Sequence, residues 1–147
     1  MRLGRGGGAS VHVTALDVEA RIRPVTATGA VAAYVDVMGV IDTGADTVLI
    51  ARGIAKRLGL RPIRNTIAIL ASGEQRLAIS YMGVLEIPTI GYRDEVETTA
   101  MTEGGESNHI LLGRNFLREF LVTIDCANEV VHFQRAGGGY GGFVDDE

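Results

Sequence analysis

The chain has 147 residues and a formal charge of −4, from 14 Lys and Arg against 18 Asp and Glu; this is the size of one domain. With no Lys/Arg block to offset that charge, nucleic acid is excluded as a main partner. A 46% apolar and 22% charged composition excludes global disorder. The lone Cys126 excludes an intrachain disulfide, and no run of about 18 apolar residues exists to cross a membrane.

The start, Met1-Arg2-Leu3-Gly4-Arg5-Gly6-Gly7-Gly8, lacks the apolar stretch of a signal peptide. The expectation is a cytoplasmic protein if this N-terminus is native; otherwise a membrane-tethered parent protein stays open. Nine of the 20 glycines fall in residues 1–8 and 137–142. The chain therefore divides into a flexible tail over 1–10, one folded unit over 11–135, and a Gly-rich, acidic tail over 136–147.

Within the folded unit the apolar period is mostly two. Leu16, Val18, Ala20 and Ile22 alternate with charged residues, as in a half-buried strand. Val31 to Ile41 reads as a hairpin arm and a buried strand running into Asp42, and Thr47 to Ile50 as a further short strand. Ile54 and Leu58, followed by Gly59, predict a short helix from about Ala51. Thr66–Leu70 and Leu77–Ile87 predict the arms of a hairpin whose tip is Ala71-Ser72-Gly73-Glu74-Gln75. Val96–Met101 is another strand, and Thr102–Asn108 a polar loop. Ile110-Leu111-Leu112-Gly113 then leads to Phe116, Leu117, Phe120 and Leu121 at helical spacing. Leu121–Ile124 and Val130–Phe133 predict a closing hairpin, with Val130–Phe133 the candidate interface strand. Many short strands with one or two short helices make the class mostly β, a closed barrel-like fold.

The chemistry concentrates at Val40-Ile41-Asp42-Thr43-Gly44-Ala45-Asp46-Thr47. An apolar strand delivers a carboxylate toward the core, and three small residues then turn the chain. A buried carboxylate is costly unless paired, hydrogen-bonded or neutralised. An Asx-turn, in which Asp42 bonds its own downstream amides, is the plain structural alternative.

Other constellations carry less. His12, His109 and His132 have no metal-ligand spacing, so neither a metal nor another cofactor is expected. Ser10, Ser72, Ser80 and Ser107 lack a Gly-x-Ser-x-Gly elbow. Gly4-x-Gly6-x-x-Ala9 has no strand before it or helix after it to make a dinucleotide site. Met38, Met82 and Met101 read as core filler.

About 70 residues past Asp42 come Ile110-Leu111-Leu112-Gly113-Arg114-Asn115. With Asp42-Thr43-Gly44-Ala45-Asp46 upstream and a hairpin at Ser72-Gly73 between, the chain resembles the retropepsins. These are the single-domain aspartic proteases of retroviruses and their cellular and bacterial relatives. The resemblance covers roughly Leu16 to Phe133 in element order, and the two motifs are its specific part. It implies a homodimeric acid-protease fold that hydrolyses peptide bonds in a peptide or protein substrate. Two aspartates would share one proton and hold a water between them. Of the eight aspartates only Asp42 is followed by Thr-Gly, so a second copy of the chain must supply the other.

By the same resemblance, Thr43 would bond across the dimer axis, Gly44 would admit substrate backbone, Ala45 would be a small supporting residue of the turn, and Asp46 would pair with Arg114 beside the site. Gly113 would allow close backbone packing, Leu112 would be core or line a subsite, and Ser72-Gly73 would form the flap tip. That tip is polar and charged where viral members are glycine-rich. The alternative function is a catalytically silent relative used for dimerisation or peptide binding.

Overall fold

The structure is a computed structural model and describes residues 11–13, 17–26, 33–103 and 106–136. The tails expected at 1–10 and 136–147 lie outside the described residues, Ala136 excepted, as do Leu16, Val31 and Ala32.

Among the described residues the chain folds as ten strands, β1 (Val11–Val13), β2 (Asp17–Arg23), β3 (Val35–Ile41), β4 (Val48–Leu49), β5 (Arg61–Ile69), β6 (Gln75–Ile87), β7 (Tyr92–Met101), β8 (His109–Leu112), β9 (Phe120–Asp125) and β10 (Val130–Arg135). Two short helices, α1 (Arg52–Leu58) and α2 (Arg114–Leu117), accompany them. In β2 the alternation translates directly into burial: Val18, Ala20 and Ile22 are buried while Glu19 between them is exposed. Helix α1 buries Ile54 and Ala55, and it ends at Gly59, whose φ of 60° is left-handed.

Six strands close into a barrel in the order β2-β3-β8-β4-β7-β6, with β6 returning to β2. Neighbours in this ring are antiparallel except β3 with β8 and β4 with β7, which are parallel. Strand β6 is 13 residues long and uses one edge twice. Its Gln75–Met82 part pairs with β5, and Val84–Glu86 pairs with β2. Strand β5 is thereby left outside the ring, and the β5/β6 hairpin extends beyond it.

Closure rests on three residue pairs, Arg21 with Glu86, Ile22 with Leu85 and Arg23 with Val84. Ile22 and Leu85 are fully buried. On the opposite face Arg23 Nε meets Glu86 Oε1 at 2.5 Å, and Arg93 Nη1 meets Glu86 Oε2 at 3.0 Å. Arg23 and Glu86 are only 16% and 14% exposed, so this bolt is better shielded from water than an ordinary surface ion pair.

A second, three-stranded sheet has the order β1-β10-β9. Here the expected interface strand is corrected. Val130–Phe133 lies in β10, in the middle of this sheet. One of its edges is taken by β1 and the other by β9, so it offers no free edge. The helix after Gly113 is also shorter than its spacing predicts. Helix α2 is one turn, and Phe120 and Leu121 already belong to β9. Phe120 nevertheless returns to the same aromatic cluster, so a turn followed by a strand satisfies the burial that a longer helix would have given. Strands β5 and β7 start at Arg61 and Tyr92 rather than Thr66 and Val96. Arg61 to Asn65 are all exposed and Arg93 to Glu95 likewise, so no apolar alternation marks those stretches.

The two sheets are joined by rings. Tyr92 packs edge-on against Phe116 at 4.9 Å, Phe116 lies 5.2 Å from Phe120, and Phe120 meets Phe133 edge-on at 5.5 Å. Arg135 sits over the Tyr92 and Phe120 rings and pairs with Glu119 at 3.0 Å. The Tyr92 hydroxyl donates to Glu119. Burial, reinforced by the Glu119 charge, pushes the Tyr92 phenol well above its usual range.

Phe116→Ala, which empties the centre of this cluster, is expected to cost about 3–5 kcal/mol in urea unfolding. Because Tyr92 resists ionisation in the folded state, its contribution is complete below the unfolded phenol value of about 10 and is lost as pH rises past it. Thermal melts between about pH 8 and 11 should therefore show an alkaline decline that Tyr92→Phe makes shallower.

Candidate active site

Strand β3 ends at Ile41, beside Leu112 of β8, and Asp42 follows at the mouth of the barrel. Its N–H donates to the Leu112 carbonyl at 3.2 Å, and its own carbonyl accepts the Ala45 N–H at 3.2 Å. The carboxylate Oδ1 accepts the Gly44 N–H at 2.9 Å, so the Asx-turn geometry is present. Asp42 is half-buried in the single chain, with Thr43 and Gly44 exposed beside it. The carboxylate therefore stands at the mouth and not in the core.

The loop's shape is set from below by β8 and α2. A Cβ on Gly113 would fall well inside contact distance of the Thr47 carbonyl group and 2.9 Å from the Ala45 oxygen, so only glycine fits. That approach lets the first amides of α2 reach the loop. Arg114 N–H donates to the Ala45 carbonyl at 2.8 Å, and Asn115 N–H to the Asp46 carbonyl at 3.0 Å. The Arg114 guanidinium donates to the Thr43 carbonyl at 2.8 Å and forms an ion pair with Asp46. Leu112 is fully buried. It lies under the loop as core, touches a would-be side chain on Gly39, and is not available as a subsite wall.

Two stitches were not marked in the sequence. The Asn115 Oδ1 accepts the Val48 N–H at 3.0 Å, and its Nδ2 donates to the Glu97 carbonyl at 2.8 Å. The Thr47 and Thr99 hydroxyls bond each other at 2.8 Å. Asn115 had a visible signal in standing next to Arg114, and an amide can serve as donor and acceptor together. Thr99 had none, since only the fold brings β7 under the loop.

Ser72 and Gly73 are at the tip of the β5/β6 hairpin, where Gly73 has a φ of 88°. Ser72 Oγ accepts the Glu74 N–H at 3.3 Å, and Arg76 holds Glu74 through two bonds of 3.0 and 3.2 Å. Among the described residues the two make no hydrogen bond to the Asp42 loop. Ile67, Ile69 and Leu77 on the hairpin arms are 56%, 70% and 68% exposed. Between the arms and the loop lies a cavity of about 240 Å³, bordered by Gly44, Ala45, Asp46 and Thr47 on one side and Thr66 to Ile69 on the other. Among the described residues no group of His, Cys, Asp and Glu is arranged to hold a metal, and no helix is long and apolar enough to cross a membrane.

The fold and both motifs place the chain among the retropepsin-like aspartic proteases. A family model described as "gag-polyprotein putative aspartyl protease" matches residues 27–119, well over half of the chain, and the chain belongs to that family. No curated protein sequence matches it. Among solved structures it is similar to a retropepsin-like aspartic protease from Rickettsia conorii, at 16% identity and a TM-score of 0.55, over 86% of this chain and 91% of that one. The retroviral protease-like domain of Ddi1 from Leishmania major is 14% identical with a TM-score of 0.48, over 86% and 97%. The aspartic proteinase from Irpex lacteus is 16% identical with a TM-score of 0.49, over 91% of this chain and 49% of that one.

Asn115→Ala leaves the Val48 N–H and Glu97 carbonyl without their partner, and should cost on the order of 2–3 kcal/mol. Arg114→Ala removes an exposed pair and should cost less than about 1 kcal/mol. Denaturant unfolding of the two variants side by side checks the order.

Proposed function

We propose that the chain is an aspartic endopeptidase with one active site built by two copies, each contributing Asp42. The observation that carries this reading is Asp42 itself. It is the single aspartate of eight followed by Thr-Gly, it stands at the barrel mouth, and the chain's family works with a pair. One chain brings half of such a pair, and a two-fold axis beside Asp42 would bring the other.

Two carboxylates a few Å apart do not both ionise readily, so the pair holds one proton near mild acid. The ionised Asp42 takes a proton from the water between them, and the water oxygen attacks the scissile carbonyl carbon. The protonated Asp42 hydrogen-bonds the carbonyl oxygen as it gains charge. Collapse of the tetrahedral intermediate breaks the C–N bond, and the amine leaves with a proton from the pair. No cofactor is needed for this sequence.

The remaining residues serve this geometry. Thr43, exposed beside Asp42, is the group that would bond its copy across the axis. Gly44 leaves room for substrate backbone, and Ala45 keeps the turn small. Arg114 braces the loop through Asp46 and the Thr43 carbonyl, while Gly113 and Leu112 support it from below. Ser72 and Gly73 form the hairpin tip that would close over a peptide. The rival reading is a silent peptide-binding dimer. The ion-paired Glu74-Arg76 tip favours it, because that tip departs from the glycine-rich one of viral members.

Wild type and Asp42→Asn should be incubated with a peptide library between about pH 4 and 7, and sized by light scattering. Cleavage is expected with a mildly acidic optimum. Above the upper value of the pair both carboxylates ionise and the donor is lost; below the lower value both protonate and the base is lost. Asp42→Asn should lose activity by on the order of 10³-fold or more and remain dimeric. Equal cleavage by a folded Asp42→Asn would remove the reading, and an inert wild-type dimer would favour the silent alternative.

A further inference from the structure

The cavity beside the Asp42 loop has a charged wall that the catalytic reading leaves unused. Glu97 and Arg64 line it together with Asp46, Thr66, Ser80 and Thr99. Arg64 Nη2 meets Glu97 Oε2 at 2.6 Å. The two partners are held very differently. Glu97 lies on β7, which is paired on one side with β6 and on the other with β4. Its main-chain carbonyl is pinned by Asn115 at 2.8 Å, and its side chain is 25% exposed. Arg64 lies on β5, outside the barrel ring, next to a register shift between Pro62 and Arg64, and its side chain is 58% exposed. The carboxylate is therefore fixed and the cation movable.

That asymmetry decides the sign of the ligand. An arriving ammonium or guanidinium can take the place of Arg64 on Glu97. The displaced Arg64 swings into water, and little is lost because an exposed ion pair contributes little. An arriving carboxylate would instead draw Arg64 away and leave the better-shielded Glu97 unanswered, which is the costlier outcome. Asp46 and Arg114 balance each other's charge, and the Thr66 hydroxyl supplies an acceptor for N–H donors. About 240 Å³ is room for one long side chain.

We propose that Glu97 makes this cavity a subsite for a basic side chain of the substrate, with Arg64 as the built-in competitor that the substrate displaces. The inference rests on the endopeptidase reading and adds to it a substrate class, peptides with Lys or Arg at one position near the scissile bond.

The test uses a peptide that the wild type cleaves, with each position in turn carrying Lys, Gln or Glu. One position should show a Lys-over-Gln preference in kcat/KM of roughly tenfold, weakening with added salt. Glu97→Gln should bring that ratio to about one, and Arg64→Ala should raise it. The two variants move in opposite directions, so a folding defect in either cannot imitate the result. A wild type without such a position, or a preference that survives Glu97→Gln, would overturn the subsite and leave the protease standing. A preference for Glu that disappears in Arg64→Ala would overturn it in favour of an anion site. A wild type that cleaves nothing would overturn both readings.

Discussion

Everything at the barrel mouth depends on one close approach, that of Gly113 to the carbonyl groups of Ala45 and Thr47. The first amides of any helix have no partner inside the helix and must find one elsewhere. Here the amides of Arg114 and Asn115 find the carbonyls of Ala45 and Asp46. The helix start is thereby satisfied, and the loop after Asp42 is held at two consecutive residues. A Cβ at position 113 would push the two segments apart and undo both effects. The Arg114 and Asn115 side chains then extend the same grip, one to the exposed side at Asp46 and the other to the buried side at Val48.

The grip works because the platform beneath it is fixed by interactions far from the mouth. Closing a six-stranded barrel with three residue pairs leaves little hydrogen bonding to spare at the β2–β6 seam. Ile22 and Leu85 secure it on the inside and Arg23, Glu86 and Arg93 on the outside. The β1-β10-β9 sheet is held through ring contacts and the Tyr92, Glu119 and Arg135 group. Stability is thus concentrated in the core and the aromatic cluster. The hairpin tip relies instead on the exposed Glu74–Arg76 pair, which contributes little and leaves the tip free to be shaped by what binds.

Much of this was legible in the sequence, for identifiable reasons. Alternation in β2, the Gly59 stop of α1 and the hairpin arms around Ser72-Gly73 are local signals, and each corresponds to an observed element. Arg61 to Asn65 and the start of β7 gave no signal because exposed strands carry no apolar rhythm. Phe120 misled because spacing of three or four residues suits a helix, whereas a short helical turn followed by a strand can bury the same ring. The motif residues around Asp42 and Gly113 were visible as a pair of segments. Thr99, Glu97 and Arg64 were not, since they reach the site only through the order of strands around the barrel. Sequence locates the residues that turn the chain; it does not locate those brought alongside by pairing.

The state of Asp42 in a single chain also bears on where its chemistry would come from. Its Oδ1 accepts the Gly44 N–H, a contact any Asx-turn makes. Asp46, four residues on, is committed to Arg114. On the two-copy reading, the perturbation that makes an aspartate a base on one side and an acid on the other arises only when two mouths face each other. Catalytic competence would then follow the concentration of the chain as well as pH, because assembly and the shared proton are one event.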